Sequence, residues 1–228
     1  MEKLIVISLG GSLIVPEEMN IPFLEKFAKT LRKYYKTYKF AVVCGGGTIA
    51  RKYISALKAE NKSKRELANA GIRATRMNAQ FMMQFFGKKE ANDSLPKSMI
   101  EIKNSLAKNS VVLCGALRYY GKATSDTTAA KLAYFLKTDF INMTNVKGLY
   151  TDNPKTHKKA GFIPKISWKN FEKMALSIKF KVGQNFVLDQ NAATIIKEHK
   201  IKTYILGSNE ALDNLLKEGN FEGTIIFG

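Results

Sequence analysis

The sequence predicts an α/β fold: a three-layer αβα sandwich in which a mainly parallel central sheet lies between two layers of helices. Short apolar runs alternate with amphipathic helical patterns from one end of the chain to the other. Each of the first three runs leads directly into glycine, and no internal repeat or low-complexity linker interrupts the alternation. Alternating strands and helices are typical of parallel strands covered on both faces. We expect a single domain over residues 1–228.

Three strands are predicted in the first half of the chain, because their continuous apolar runs are of the kind buried on both faces of a sheet. They are Lys3–Ser8, Phe40–Cys44 and Ser110–Cys114. After the first strand, Asn20 is predicted to cap a helix whose apolar residues recur every three or four positions. A further helix is predicted from about Thr48, and a long one over residues 64–86, which Gly71 weakens in its middle.

The second half continues the pattern. Thr124 or Ser125 is predicted to cap a helix, and Gly148 to adopt a left-handed conformation in a turn. Residues 151–166 are predicted to form a surface loop. The other predicted elements are a strand at Phe140–Met143, helices capped by Ser167 and Asp189, a strand at Ile201–Leu206, a helix at Ser208–Lys217 and a final strand at Thr224–Phe227.

Composition narrows the class of protein. The chain of 228 residues is 45% apolar, as in ordinary globular proteins. Its apolar runs are far shorter than the roughly 20 residues that span a bilayer, and its start does not resemble a secretory signal. We therefore expect a cytoplasmic protein with no membrane partner. Two cysteines without CxxC spacing predict reduced, buried thiols, and two isolated histidines predict no protein-built metal site.

The net charge of +18 comes from 37 basic and 19 acidic side chains. A strongly basic chain suggests a nucleic-acid surface or an anionic ligand. The excess is dispersed along the chain, without a basic tail or an arginine-rich block. We therefore expect a solvated surface with a basic ligand cleft, and no nucleic-acid partner.

Two glycine-rich loops in the first fifty residues indicate where a ligand binds. Gly10-Gly11-Ser12 and Gly45-Gly46-Gly47 each follow a predicted strand, and ligands of open α/β sheets bind beyond the carboxyl ends of the strands. Glycine lets backbone amides approach a phosphate, although tight turns alone also require glycine. Two such loops predict a site for two phosphate groups. Arg51, one helical turn beyond the second loop, can reach such a phosphate or can be an ordinary exposed arginine.

Two familiar nucleotide motifs do not explain these loops. The GxxxxGK[ST] motif of P-loop proteins is absent. Residues 45–50 fit the GxGxxA pattern of dinucleotide-binding proteins. That pattern also requires an acidic residue at the end of a second strand about 20 residues further on. The region of Glu60–Glu66 reads as helix and linker instead, so a dehydrogenase is the weaker interpretation.

An ordered series of motifs covers nearly the whole chain and carries a family resemblance. The series is Leu9-Gly10-Gly11-Ser12, Gly45-Gly46-Gly47, Ala50-Arg51-Lys52-Tyr53-Ile54, Gly71-Ile72, Thr75-Arg76-Met77-Asn78-Ala79, Thr124-Ser125-Asp126, Thr144-Asn145-Val146, Gly148-Leu149-Tyr150-Thr151 with Pro154, and Val187-Leu188-Asp189. The sequence resembles the amino acid kinase superfamily and, within it, the archaeal-type uridylate (UMP) kinases.

The resemblance implies transfer of the ATP γ-phosphate to UMP with Mg²⁺, in a homo-oligomer that is a hexamer in this family. It implies ATP binding by Gly10, Gly11, Ser12, Gly47, Arg51, Thr144, Asn145, Tyr150 and Asn153. It implies UMP binding by Gly46, Gly115, Thr124, Ser125 and Asp126. The catalytic candidates are Arg51, Asp126 and Lys181. Three alternatives stay open: Asp126 as a helix cap, Tyr150 as a core aromatic and Lys181 as a surface lysine.

The sequence also departs from the family pattern. Ser8 stands where many members have a lysine, and Ala68 where an aspartate usually holds the UMP ribose. Asn153 occupies an acidic position, and the loop at residues 115–121 is altered, with Arg118 and Lys122 as alternative contacts. These departures leave two alternatives: a sister kinase with another small phosphate or carboxylate acceptor, or a non-catalytic nucleotide-binding protein.

Overall fold

The structure, a computed structural model, describes residues 2–119, 124–154, 156–177 and 187–228. Its elements in the first half are β1 (Lys3–Leu9), α1 (Gly11–Ile14), α2 (Ile21–Lys33), β2 (Tyr38–Cys44), α3 (Gly47–Ala59), α4 (Lys64–Phe86), α5 (Met99–Leu106) and β3 (Val111–Cys114). In the second half they are α6 (Ser125–Leu136), β4 (Phe140–Met143), β5 (Leu149–Tyr150), β6 (Phe162–Ile163), β7 (Lys165–Ile166), α7 (Trp168–Ser177), α8 (Gln190–Glu198), β8 (Thr203–Leu206), α9 (Asn209–Leu216) and β9 (Gly223–Ile226).

Within the described residues, seven strands form the main sheet in the order β3-β2-β1-β4-β8-β9-β7. Neighbouring strands are parallel except β8 and β9, which run antiparallel. The predicted three-layer sandwich with a mainly parallel sheet is confirmed. β1 lies inside the sheet between β2 and β4, so its carboxyl end, which leads into the first glycine loop, is flanked by the ends of those two strands.

Two apolar clusters fill the space on the two faces of the sheet. Side chains of a strand alternate between faces, so Ile7 belongs to one cluster and its neighbour Val6 to the other. The first cluster packs the sheet against α2, α4 and α9, and includes the fully buried Phe27 and Met82. The second packs it against α5, α6, α7 and α8, and includes Phe171. The residues that the sequence marks as apolar helix faces are the ones that form these layers.

Helix starts are set by side-chain caps. The predicted caps are confirmed at Asn20, Thr124 and Asp189, whose side chains accept hydrogen bonds from Phe23, Asp126 and Ala192 amides. The long helix α4 begins with a capping box in which Ser63 and Glu66 bond each other's backbone. The alternative that Asp126 itself caps α6 is wrong, because Thr124 does so.

Two local predictions are also wrong. Gly148 is not among the glycines with positive φ in the described chain. It is glycine because an added Cβ would lie 2.5 Å from the Thr224 Oγ1 atom. Residues 151–166 are not all loop, because β6 pairs with β5 and β7 pairs with β9.

The described cysteines, Cys44 and Cys114, are buried free thiols as predicted, and burial raises the pKa of Cys114 to about 12.

Candidate active site

The glycine turns after β1 and β2 lie in backbone contact at the carboxyl edge of the sheet. A Cβ atom added to Gly11 would lie 2.0 Å from the Gly47 amide nitrogen, and one added to Gly45 would lie 2.5 Å from the Gly11 amide nitrogen. Gly47 also has a φ of +59°, in the left-handed region. The packing of the two turns therefore requires glycine at these positions, whether or not a ligand is bound.

Several amides of the two turns form no hydrogen bond to the rest of the described chain. The backbone N–H groups of Gly11, Ser12, Gly46 and Gly47 donate to no acceptor within the described ranges. The thirteen-residue helix α3 begins at the same place, and the N-terminus of a helix carries a partial positive charge. Unbonded amides beside a helix N-terminus form a site that suits a phosphate.

Arg51 lies on α3 and turns back towards the start of that helix. Its Nη2 atom donates a hydrogen bond of 2.7 Å to the Thr48 Oγ1 atom, and Thr48 in turn donates to the Pro16 carbonyl. The Arg51 side chain is exposed. The structure thus places the guanidinium, which is open to solvent, at the first turn of α3, directly after the second glycine turn in the chain.

A third turn, after β3, is fixed to the long helix α4. A Cβ atom added to Gly115 would lie 2.7 Å from the Thr75 Oγ1 and Arg76 amide nitrogen atoms. The Ala116 amide donates to Thr75 Oγ1 at 2.9 Å, and the Arg76 guanidinium donates to the carbonyls of Ala116 and Leu117. Thr75 and Arg76 appear in the sequence only as parts of a motif. Their task of holding this turn depends on contacts with residues about forty positions away.

Asp126 lies at the start of α6, and its carboxylate meets the end of β1. Its Oδ1 atom accepts a hydrogen bond of 2.7 Å from the hydroxyl of Ser8, which is 1% exposed. Burial raises the pKa of Asp126 to about 7, the negative charge of Asp189 adds to the rise, and the Ser8 hydrogen bond opposes it. The position where the resemblance implies a lysine is therefore a hydroxyl donor to Asp126.

Asp189, which is 2% exposed, joins α6 to α8. It caps α8 and also accepts hydrogen bonds from the backbone and hydroxyl groups of Thr124 and Thr127. The sequence predicts the cap but not the bonds to α6, which link residues 62 to 65 positions apart. Thr124 and Ser125 are partly buried in the same turn as Asp126.

Two of the residues predicted to bind ATP, Gly10 and Thr144, also lie at this edge of the sheet. A Cβ atom added to Gly10 would lie 2.8 Å from the Met143 carbonyl and 3.8 Å from the Thr144 Cα. The Thr144 amide donates to the Leu206 carbonyl at 2.9 Å, and Asn145 is exposed. Tyr150 is partly buried, with its ring centroid 5.4 Å from that of Phe162. Asn153 lies further along the chain, exposed in the segment that follows β5.

The structure does not describe every predicted residue. Lys181 and Lys122 fall outside the described residues, whereas Arg118 is described and exposed. In the described ranges, no group of three His, Cys, Asp or Glu side chains is placed to hold a metal ion. The same ranges include no helix long and apolar enough to cross a membrane. A divalent ion at this site would therefore need ligands that the described side chains do not supply as a cluster.

The fold and the glycine turns at the carboxyl edge of its sheet are those of a phosphate-binding α/β protein. Comparison with known proteins identifies the family. The model of the amino acid kinase family matches residues 3–207. The chain belongs to this family.

The relatives that this chain matches over nearly its full length include uridylate kinases. A uridylate kinase of Archaeoglobus fulgidus is 36% identical over 224 residues, which cover 97% of this chain and 99% of that protein. A uridylate kinase of Methanocaldococcus jannaschii is 33% identical over 228 residues, covering 98% and 99%. The crystal structure of the Archaeoglobus fulgidus uridylate kinase matches with a TM-score of 0.83 and 34% identity, over 99% of this chain and all of that one.

Proposed function

We propose that this chain is an ATP-dependent UMP kinase, which transfers the γ-phosphate of ATP to UMP and yields ADP and UDP. The observation that carries the proposal is the pair of contacting glycine turns, whose amides at Gly11, Ser12, Gly46 and Gly47 have no acceptor in the described chain. Donor and acceptor phosphates held together at one point are what phosphoryl transfer requires. The full-length similarity to uridylate kinases supports UMP as the acceptor.

The two substrates are proposed to lie on opposite sides of the contacting turns. ATP would lie towards β4 and the turn that follows it, against Gly10 and Thr144, whose backbones are close to each other. UMP would lie towards the turn after β3, which Thr75 links to the second glycine turn: a Cβ atom added to Gly46 would lie 3.5 Å from the Thr75 Cγ2 atom, and one added to Gly115 would lie 2.7 Å from the Thr75 Oγ1 atom. The full sets of proposed ATP-binding and UMP-binding residues are those that the resemblance implies.

Catalysis in this proposal is positioning and electrostatic stabilisation. A phosphate oxygen of UMP attacks the γ-phosphorus, the bond to the ADP oxygen breaks, and negative charge spreads over the transferred group. The amides of the two turns and the Arg51 guanidinium donate hydrogen bonds to that charge. Asp126, fixed by Ser8 at the end of β1, orients the groups around the transfer site. Lys181 stays a proposed additional cation.

We include Mg²⁺ as a component of the substrate Mg·ATP. Mg²⁺ usually keeps several waters and binds substrate phosphates rather than an all-protein cage, which fits described residues that offer no three-ligand cluster. When bound, the ion neutralises phosphate charge. A single domain over 1–228, a homo-oligomeric and hexameric assembly, a cytoplasmic location and a place in pyrimidine nucleotide synthesis complete the proposal.

The test is an acceptor panel. The purified protein is incubated with Mg·ATP and, in turn, UMP, CMP, AMP, GMP or small carboxylic acids, and ADP release is followed against a reaction without acceptor. We expect turnover with UMP well above the background ATP hydrolysis. Turnover with another acceptor but not with UMP would refute the assigned substrate, and ATP binding without any turnover would refute the assigned activity.

A further inference from the structure

The Asp189 carboxylate carries more hydrogen bonds than a helix cap needs. Its Oδ1 atom accepts a hydrogen bond of 2.9 Å from the Ala192 amide, and this bond alone caps the N-terminus of α8. Its Oδ2 atom accepts bonds from the Thr124 hydroxyl at 2.6 Å, the Thr124 amide at 3.3 Å and the Thr127 amide at 3.1 Å. The Thr127 hydroxyl lies 2.7 Å from Oδ1 and 2.9 Å from Oδ2. Most of the bonds therefore go to α6, not to α8.

These bonds fix the turn that carries Asp126. Thr124 and Thr127 bracket Asp126 in the sequence, and the Thr124 hydroxyl, which donates to Asp189, also accepts from the Asp126 amide at 3.1 Å. On its other side, the Asp126 carboxylate meets Ser8 at 2.7 Å. The orientation of the first turn of α6 thus determines where the Asp126 carboxylate lies relative to β1 and the first glycine turn.

We propose that Asp189 is a positioning residue for phosphoryl transfer: through Thr124 and Thr127 it holds the first turn of α6 so that Asp126 stays against Ser8. The inference rests on the proposed function. Asp189 does not touch the reacting atoms in this scheme, and acts only through α6. Misplacement of a catalytic group by about 1 Å is enough to lower a rate by on the order of 100-fold.

The chemistry of the site explains why a carboxylate is needed at position 189. All of its hydrogen-bonding partners are donors: the amides of Thr124, Thr127 and Ala192, and two hydroxyls. An asparagine would turn an NH₂ group towards amides that also donate, and would leave at least one buried N–H without an acceptor. Asp189→Asn is therefore expected to disturb both helix starts, and it needs a milder companion variant.

Thr127→Val and Thr127→Ser supply that companion pair. Valine keeps the size and branching of the side chain and removes the hydroxyl that bonds Asp189, whereas serine keeps the hydroxyl and removes a methyl group from a buried position. If Thr127 only stabilises the fold, kcat should change in parallel with the thermal midpoint of each variant. If Thr127 helps to position Asp126, kcat should depend on whether the hydroxyl at position 127 is present.

Thr128→Val is the matched control. Thr128 lies in the same turn and is buried, but the described bonds to Asp189 come from Thr124, Thr127 and Ala192 and not from Thr128. It receives the same substitution without losing a bond to Asp189. Thr128→Val is expected to keep kcat within about twofold of the unchanged protein, because it removes no bond to Asp189 and leaves the groups that act in the transition state in place.

The experiment measures kcat, the KM for UMP, the KM for ATP and the thermal midpoint of each variant. We expect Thr127→Val to lower kcat about 10-fold, with both KM values within about threefold, and Thr127→Ser to retain kcat within about twofold. Asp189→Asn, where it folds, is expected to lower kcat at least as much as Thr127→Val. Equal kcat for the valine and serine variants, or a ranking that follows the thermal midpoints, would overturn the inference. Absence of UMP turnover by the unchanged protein would instead refute the proposed function.

Discussion

The Ser8 hydroxyl donates a 2.7 Å hydrogen bond to the Asp126 carboxylate across 118 residues of sequence. The bond joins β1, an interior strand of the sheet, to the first turn of α6, next to the turn that begins at Gly10. A hydroxyl donor here contributes orientation and one hydrogen bond, but no positive charge. Stabilisation of the transferred phosphate therefore has to come from the amides of the glycine turns and from cations elsewhere.

Ser8→Ala tests this contact. The substitution leaves an oxygen of Asp126 without its donor, and also removes the contact that holds down the Asp126 pKa. A hydrogen bond to a charged group contributes about 1.5–3 kcal/mol, so we expect kcat to fall by about 10-fold or more while the KM for ATP changes little. Steady-state kinetics with UMP would measure it, and an unchanged kcat would show that Ser8 does not position Asp126.

Arg51→Ala is expected to lower kcat/KM by at least about 100-fold, which is the scale of losing one group that stabilises developing charge. The guanidinium lies at the first turn of α3, beside amides that suit a phosphate. Lys52→Ala is the matched control, since Lys52 is the adjacent exposed cation on the same helix. Equal losses in the two variants would mean that only general surface charge matters.

Much of the fold follows from local patterns. The apolar runs predict β1, β2, β3, β4 and β8 within a few residues, and the spacing of apolar side chains predicts the helices that cover them. The errors lie where structure depends on distant partners. β6 and β7 are two residues each and exist through pairing with β5 and β9. Gly148 is required by its contact with Thr224, on a strand about 75 positions later, which no local turn signal predicts.

The site is predictable in part for the same reason. The glycine turns and Asp126 stand out because each follows a strand or lies at the start of a helix, and Arg51 stands out because it lies one helical turn beyond the second glycine turn. The connections of Ser8, Arg76 and Asp189 do not stand out, because each joins residues at least forty positions apart. A lone buried serine or a capping aspartate has the same local sequence whether or not it holds a functional group.

Arg76→Met is expected to raise the KM for UMP by about 10-fold and to leave the KM for ATP nearly unchanged. Arg76 donates to the carbonyls of Ala116 and Leu117, in the turn proposed to hold UMP, and bonds from a charged donor contribute about 1.5–3 kcal/mol. Arg73→Met is the control, because Arg73 lies one turn earlier on α4 and is exposed. A similar KM change in both variants would contradict the assignment.

A pair of glycine substitutions separates packing from helix propensity. A Cβ atom at Gly71 would meet only the Ile54 Cδ1 atom, at an ordinary 3.5 Å, so Gly71→Ala is expected to raise the free energy of unfolding by about 0.5–1 kcal/mol. Gly11→Ala would force apart the two contacting turns, and is expected to lower both stability and kcat, the latter by more than about 10-fold. Chemical denaturation and kinetics measure both effects. A fully active Gly11→Ala protein would contradict the proposed phosphate site.

The raised pKa of Asp126 predicts a pH dependence of stability. The pKa of its carboxyl is raised to about 7 in the folded chain, from an ordinary value of 3.8. Between about pH 4 and pH 7 the folded state therefore holds a proton that the unfolded state has released, so this group's contribution to the free energy of unfolding falls as the pH rises. Asp126→Asn removes that contribution. We expect its stability relative to the unchanged protein to increase steadily from pH 4 to pH 7 in urea titrations without substrate.

Glu66→Gln provides a comparison of opposite sign. The hydrogen bonds from the Ser63 side chain and backbone lower the pKa of Glu66, so its contribution is present above the unfolded pKa and is lost as the pH falls. The stability of Glu66→Gln relative to the unchanged protein should therefore decrease as the pH rises towards the ordinary glutamate value of 4.5, and should level off above it, where the relative stability of Asp126→Asn still increases. A parallel trend in the two variants would show that net charge, rather than the burial of Asp126 beside Asp189, causes the pH dependence.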